Sequence, residues 1–494
     1  MAKKHWLRLR GYLHFSKRFD STEKKNTYSF IKKYVSNKDS VQKHRFAPLI
    51  HYKIIENHFR RPYNGLGIHS VKSENRIYTQ KSRPIFYCNH LDAQIFAYYA
   101  HKLSLLLEKE YKKNQVLNNS VIGYRAIPFN IHRNKSTIDF ANEVFSFIKS
   151  SNEKSLVVAC LDISSFYDNL DHKILKRAWY NLKGGKKALE DDEFKVFKAI
   201  TQAHYIDLED ILSKVSSFDK RNKSYLHKSK RNKLVNDFSE IRRLIEENCH
   251  LVKKYDKYDL KVGIPQGTPI SAVLSNLYFL NADKEISQLF DNNYCLYRRY
   301  SDDILIICRE TEFAGLYKNV LDIIKTLKLE ISANKNQVGY FRRIHSNADW
   351  VLEFYQNSIL LNKPINYLGF SFDSKNIRIK NGSLSKYYRG VKRLIRRSAS
   401  FAKKRMNRNV VDGENKDGWI YKRKIYRSKS YLGAKRKEIN GKVSWGNYIS
   451  YARNAAKIMN EKGILNQIKN HWKIINNKIM QYEKDYKLPK QQKK

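Results

Sequence analysis

CLYRRYSDDILIIC, residues 295–308, sets Ser301 and the pair Asp302-Asp303 between two apolar runs of strand length. That pattern predicts a β-hairpin with the acidic pair at its tip. Carboxylates embedded in strands this apolar are costly unless a cation or a partner neutralises them. The same design stands upstream, where the fully apolar run LVVACL (156–161) reads as a buried central strand and ends on Asp162. Laid side by side, the two segments bring Asp162, Asp302 and Asp303 to one point. Such a trio suits two Mg²⁺ ions about 4 Å apart, one activating an attacking hydroxyl and one stabilising a departing phosphate. Oxygen donors and retained water favour Mg²⁺, and Mn²⁺ should substitute.

Outward from this centre, Asp171 reads as the N-cap of a helix with Ile174, Leu175, Ala178, Trp179 and Leu182 on one face. Upstream, a short strand near Ile85–Cys88 precedes a helix with Asp92 in its first turn, VIGYRAIPF reads as a strand ending at Pro128, and a helix covers Ile138–Ile148. Residues 183–258 are Lys-rich and read as a basic helical insertion. From about 385 the chain is basic and helical, with a loop over 411–442, a last amphipathic helix over 447–480 and a disordered tail.

Lys and Arg number 96 against 47 Asp and Glu, a formal net charge of +49. A compact fold with that excess repels itself, and nucleic acid is the expected counter-charge because phosphate contacts release counterions. The 41% hydrophobic content supports real cores, and 19 Gly and 8 Pro among 494 residues exclude a collagen-like or disordered chain. Five cysteines without a CxxC pair read as reduced thiols in a cytoplasmic protein. The sequence lacks a signal-peptide h-region and any apolar stretch of about 18 residues, so no membrane association is expected.

Over roughly residues 80–375 the sequence resembles reverse transcriptases. LDISSFYDNLDH (161–172) is similar to motif A of that family, which makes Asp162 a metal ligand, adds Ile163 to the metal and nucleotide set, and makes Tyr167 the steric gate that selects dNTPs. GIPQGTPISAVLSN (263–276) resembles motif B, with Pro265, Gln266 and Gly267 backing the incoming nucleotide. YSDD (300–303) resembles motif C. Lys335 resembles the motif D general acid, Leu368 and Gly369 of YLGF (367–370) the primer grip, and Arg125 the fingers arginine that meets the triphosphate.

The resemblance implies an α+β right-hand polymerase. An N-terminal extension spans 1–60, fingers 61–155, a palm 156–385 that includes the insertion, and a helical thumb 386–494. In the thumb, Lys386, Arg389, Lys392 and Arg393 are expected to bind nucleic acid, with Tyr387 and Tyr388 stacking on bases or packing in the core. Segments such as HRFAPLIHYKI (44–54) and SRPIFYCNHLDAQIFAYYAHKLS (82–104) resemble the bacterial "unknown group" reverse transcriptases of antiphage defence. That likeness implies a structured non-coding RNA template or scaffold, a cDNA product and, in some members, homo-oligomers. A group II intron maturase, a retron-type enzyme and an RNA-binding scaffold with a decayed site are the competing readings.

Overall fold

The computed structural model describes residues 6–19, 23–60, 77–185, 188–214, 238–256, 260–292, 294–332, 336–345, 348–356, 359–361, 363–412, 418–434, 437–439, 442–444 and 446–489. Its strands are, in chain order, β1 (Leu49–Arg60), β2 (Ile77–Tyr87), β3 (Ser155–Asp162), β4 (His204–Asp207), β5 (Lys253–Lys254), β6 (Leu296–Tyr300) and β7 (Asp303–Arg309). There follow β8 (Gln337–Arg342), β9 (Val351–Gln356), β10 (Ile359–Leu361), β11 (Ile365–Tyr367), β12 (Phe370–Phe372), β13 (Ile377–Ile379), β14 (Lys437–Ile439) and β15 (Lys442–Ser444).

The central sheet has six strands in the order β10-β9-β8-β3-β7-β6, so the apolar run 156–161 sits in its middle. Leu156, Val157, Val158 and Ala159 are each fully buried. Strand side chains alternate between faces, and here the two faces feed two cores. Ala159, Leu161, Ile304 and Ile306 join the core built on the helix Ser271–Leu289. Leu156, Val158, Leu305 and Ile307 join the core containing the helix Thr137–Ser150, the β11-β12-β13 sheet and the helices beyond residue 380. Helices on both faces and an apolar sheet between them give the expected α+β right-hand arrangement.

Local signals behave as expected at several points. Asp171 caps the helix His172–Leu182 by accepting from the N–H groups of Lys173 and Ile174. The helix His90–Tyr111 has Asp92 in its first turn. Elsewhere long-range pairing overrides the local reading. The segment 183–258 is not wholly helical: β4 pairs in parallel with β1, and β5 pairs with β4, giving a sheet ordered β2-β1-β4-β5. Its helix Asp191–Thr201 buries Val196, Phe197 and Ile200 in the first core. The described residues of the stretch thus share a sheet with β1 and β2, while residues 186–187, 215–237 and 257–259 lie outside the described residues, and β1 belongs to this sheet although it lies inside the expected extension 1–60. Residues 121–128 do not form a strand, because Tyr124 turns the chain at φ +59° and Val121 makes a single bridge to Arg299. The expected C-terminal helix divides into Tyr448–Met459, Lys462–Ile468 and His471–Asp485, and Lys422–Lys429 is helical within the expected loop. No helix among the described residues is long and apolar enough to cross a membrane.

Candidate active site

β3 and β7 are antiparallel neighbours, and their register pairs Asp162 directly with Asp303. Residues paired this way project to the same face. Both continue the row that faces the second core, so they stand where the apolar row ends and the surface begins. β6 and β7 form the expected hairpin, with Tyr300 paired to Asp303 and Ser301-Asp302 as the connecting residues. Ser301 turns at φ +61°, and the main-chain N–H of Ile163 donates to Asp302 O at 3.1 Å, tying the turn to the end of β3. Asp162 and Asp302 are half-buried and Asp303 is exposed. The Ile163 side chain is buried and its N–H is used, so only its carbonyl is suited to meet a cation.

Two carboxylates held side by side repel each other, and the turn carrying them needs a rigid mount. Arg299 supplies it. Its guanidinium is fully buried and makes a two-pronged pair with Asp283, at 2.7 and 2.6 Å, while Nη1 donates to Ser301 O at 3.1 Å. Tyr297 donates to the same Asp283 at 2.7 Å, and the ring of Phe279 lies under the guanidinium at 4.6 Å. On the other side Gly123 lies against the turn so closely that a Cβ there would be 2.6 Å from Ser301 N, and its carbonyl accepts from Asn276 Nδ2 at 2.9 Å. None of Arg299, Asp283, Tyr297 and Phe279 is among the candidate residues of the sequence. An arginine in an apolar strand and an aspartate inside an apolar helix were the available signals.

Asp162 and Asp303 open onto a cavity of about 510 Å³. Its walls include Asn336, Lys363, Lys380 and the turn Leu368-Gly369. That turn joins β11 to β12, and both of its residues have positive φ, 43° and 90°, as a two-residue hairpin of the type I′ kind requires. Lys380 N–H donates to Gly369 O at 3.0 Å, which fixes the hairpin to the start of the long helix Asn381–Asp412. Cys160, next to Asp162 on the same face, has its thiol pushed up to about 12, first by burial and then by the charge of Asp303, so it stays protonated. Lys335 lies outside the described residues.

Among the described residues, no three or more His, Cys, Asp or Glu side chains close on a point that would hold an ion unaided. The Asp162–Asp303 pair nevertheless fits Mg²⁺, which is commonly held by one or two carboxylates with substrate phosphates and water completing the shell.

Pro265, Gln266 and Gly267 lie close to the segment 161–172 and to β2. Ile264 N–H donates to Tyr167 O and Phe86 N–H to Gln266 O, both at 2.8 Å. Gly267 has φ +105°, and a Cβ would meet Phe86 O at 2.6 Å, so only glycine fits. Tyr255 links the two loops, its hydroxyl 2.7 Å from Asp168 Oδ1 and 3.0 Å from Ile264 O. Tyr167 is half-buried, with its hydroxyl 3.4 Å from that of the exposed Tyr124. Burial above all raises the Tyr167 phenol beyond its ordinary value.

Arg125 is committed elsewhere. Its side chain is 4% exposed, and all five N–H donors are engaged by Glu108, Asn118 and the carbonyls of Asn118 and Val121. It also covers the Tyr111 ring at 4.2 Å. As placed it braces the helix His90–Tyr111 and has no donor left for a triphosphate. Lys386, Arg389, Lys392 and Arg393 are exposed on the helix Asn381–Asp412, with Lys386 paired to Glu56 at 3.2 Å. Tyr387 takes the core alternative: it is buried and stacked on Tyr448 at 4.4 Å.

Residues 72–372 match the family model described as "Reverse transcriptase (RNA-dependent DNA polymerase)". Retron Ec83 reverse transcriptase of Escherichia coli is 25% identical over 182 residues, covering 32% of this chain and 58% of that protein. The chain thus spans somewhat over half the length of this curated relative. Among solved structures, apo telomerase from Candida tropicalis truncated from its C-terminal domain aligns with a TM-score of 0.38 and 12% identity, over 62% of this chain and 54% of that one. Candida albicans telomerase with a TWJ fragment of telomeric RNA aligns with a TM-score of 0.37 and 12% identity, over 95% and 62%. The family match takes in both acidic segments, the Pro265–Gly267 loop and the Leu368-Gly369 hairpin, and spans well over half of the chain, which belongs to the reverse transcriptase (RNA-dependent DNA polymerase) family.

Proposed function

We propose that this chain copies an RNA template into DNA by extending a 3′-hydroxyl with dNTPs. The observation that carries the reading is the register that sets Asp162 beside Asp303, with Asp302 on the adjoining turn. Two Mg²⁺ ions bound there would activate the hydroxyl and neutralise the departing pyrophosphate. The chain itself positions: catalysis of this type is alignment plus charge stabilisation, with no covalent intermediate. The turn Leu368-Gly369, which lines the same cavity as Asp162 and Asp303, is suited to seat the primer end. Pro265, Gln266 and Gly267 back the incoming nucleotide, and Lys386, Arg389, Lys392 and Arg393 track the phosphates of the bound strands.

Tyr167 is proposed as the steric gate against a ribose 2′-hydroxyl, from its position in LDISSFYDNLDH and its half-buried place beside Tyr124. Tyr167→Ala is expected to raise rNTP incorporation relative to dNTP by roughly tenfold or more, the scale of a relieved 1–3 kcal/mol steric clash. Single-nucleotide extension measures this ratio, and unchanged sugar discrimination would remove Tyr167 from that role.

The template we propose is a structured non-coding RNA, and the biological role antiphage defence, on the strength of the sequence likeness to the defence-associated group. Plating a phage panel on hosts with the wild-type and the Asp302→Asn/Asp303→Asn alleles tests that role, and equal plaque counts throughout would sink it. The likeness to a retron reverse transcriptase favours the retron-type version as the second reading. A retron RNA encoded beside the gene would select it.

A further inference from the structure

Beside the helix His172–Leu182 lies a cavity of about 430 Å³ that shares no lining residue with the one onto which Asp162 and Asp303 open. Its wall includes Phe194 and Phe197, Phe194 half-exposed and Phe197 buried. Around it stand Lys173, Lys176, Lys198 and Lys261, all exposed and drawn from three separate segments of the chain. Lys176 and Lys198 approach the Phe194 ring at 4.7 and 4.8 Å. Among the described residues none of these four lysines forms a salt bridge, whereas many basic side chains elsewhere are neutralised, as Lys183 is by Glu193 at 2.7 Å. The one acidic side chain in the wall, Asp256, accepts from the N–H groups of Leu260 at 3.0 Å and Lys261 at 2.7 Å. The cavity therefore joins an aromatic floor to a basic rim in which Lys173, Lys176, Lys198 and Lys261 make no salt bridge among the described residues. A pocket of a few hundred cubic ångströms suits one small planar group, and bases stack on aromatic rings while lysines take the phosphates on either side.

We infer that this cavity is a second nucleic-acid site, which takes an unpaired nucleotide of a bound single-stranded RNA: the base lies against Phe194 and the flanking phosphates meet Lys173, Lys176 and Lys198. The site is independent of the proposed chemistry, since it shares no residue with the acidic cluster. It is nonetheless joined to the Pro265–Gly267 loop by the backbone. His172 N–H donates to Lys261 O at 2.9 Å, and His172 Nε2 is 2.8 Å from Gly263 O. An RNA held here is anchored to the segment that leads into the proposed nucleotide-backing loop.

The test uses the full chain carrying Asp303→Asn and a fluorescein-labelled 12-nucleotide single-stranded RNA, followed by anisotropy across a salt series. Lys176→Glu/Lys198→Glu is expected to weaken binding about tenfold or more and to flatten the log–log salt slope by about 1.4, or 0.7 for each lost phosphate contact. Phe194→Ala is expected to weaken binding about tenfold with the slope unchanged, the signature of lost stacking. The control Lys318→Glu/Lys325→Glu, on the exposed face of the helix Glu310–Thr326, removes the same charge and is expected to cost less than threefold. Equal losses for the two lysine pairs, or no loss with Phe194→Ala, would overturn the site. Competition by free AMP as strong as by the oligonucleotide would also overturn it, in favour of a mononucleotide pocket. Primer extension by Lys176→Glu/Lys198→Glu in the otherwise wild-type chain, on a pre-annealed short duplex, should keep its kcat. A failure of the polymerase reading would leave these binding results unaffected.

Discussion

Asp303→Asn is expected to lower primer extension by about 10³-fold or more while leaving the folded protein at least as stable. The loss follows from the geometry: Asp303 and Asp162 are paired across β3 and β7 and share one face. Removing one of two charges that hold the cations forfeits several kcal/mol of charge stabilisation, and each 1.36 kcal/mol is tenfold in rate. The stability half of the prediction separates a catalytic from a structural role. Without metal the paired carboxylates repel each other, so neutralising the exposed Asp303 relieves that repulsion. Single-turnover extension at saturating dNTP gives the rate, and a thermal melt without divalent ions gives the stability. A melt lowered by several degrees would make Asp303 part of the frame instead.

The second large effect lies one layer behind. Asp283→Asn is expected to destabilise the protein by about 3–5 kcal/mol, because it leaves the Arg299 guanidinium charged and without its counter-ion at a fully buried position. Oδ1 can still accept from Tyr297, but the new amide turns an N–H toward Arg299 Nη2, donor against donor, and loosens the guanidinium that holds Ser301 O. Asp283→Leu together with Arg299→Met removes both charges and is expected to recover most of the stability, since a buried pair replaced by apolar groups of similar size is often neutral or better. Extension by the double variant should stay low, because nothing then holds Ser301 O and the carboxylate turn is free to shift. Denaturant midpoints for the single and double variants, read beside their extension rates, test this. A double variant that regains both stability and activity would show that the mount is dispensable.

The reach of the sequence can be stated residue by residue. The centre was legible because its signals are local: an apolar run ending on Asp162, an acidic pair breaking a second apolar run, and Asp171 placed to cap the next helix. Strand pairing between distant segments was not legible in the same way. β4 takes its conformation from β1, which lies about 150 residues upstream, and β5 takes its own from β4, so composition alone points the stretch 183–258 to helix. VIGYRAIPF has the composition of a strand, but Tyr124 adopts φ +59° and Gly123 must fit against the Ser301 turn. Arg125 shows the limit for single side chains. Its number in the chain follows from the family resemblance, but its direction depends on Glu108 and Tyr111, one helix away. The Arg299–Asp283 pair was hidden for the same reason, since two charges in separate apolar segments announce a buried pair only once the segments touch.

The most direct test of the central claim is to sequence the nucleic acid that copurifies with the protein from cells carrying its native locus, for the wild type and for Asp302→Asn/Asp303→Asn. The account predicts one locus-encoded RNA enriched with both proteins, and DNA complementary to it with the wild type alone. Mixed cellular RNA with both proteins and complementary DNA with neither would contradict it.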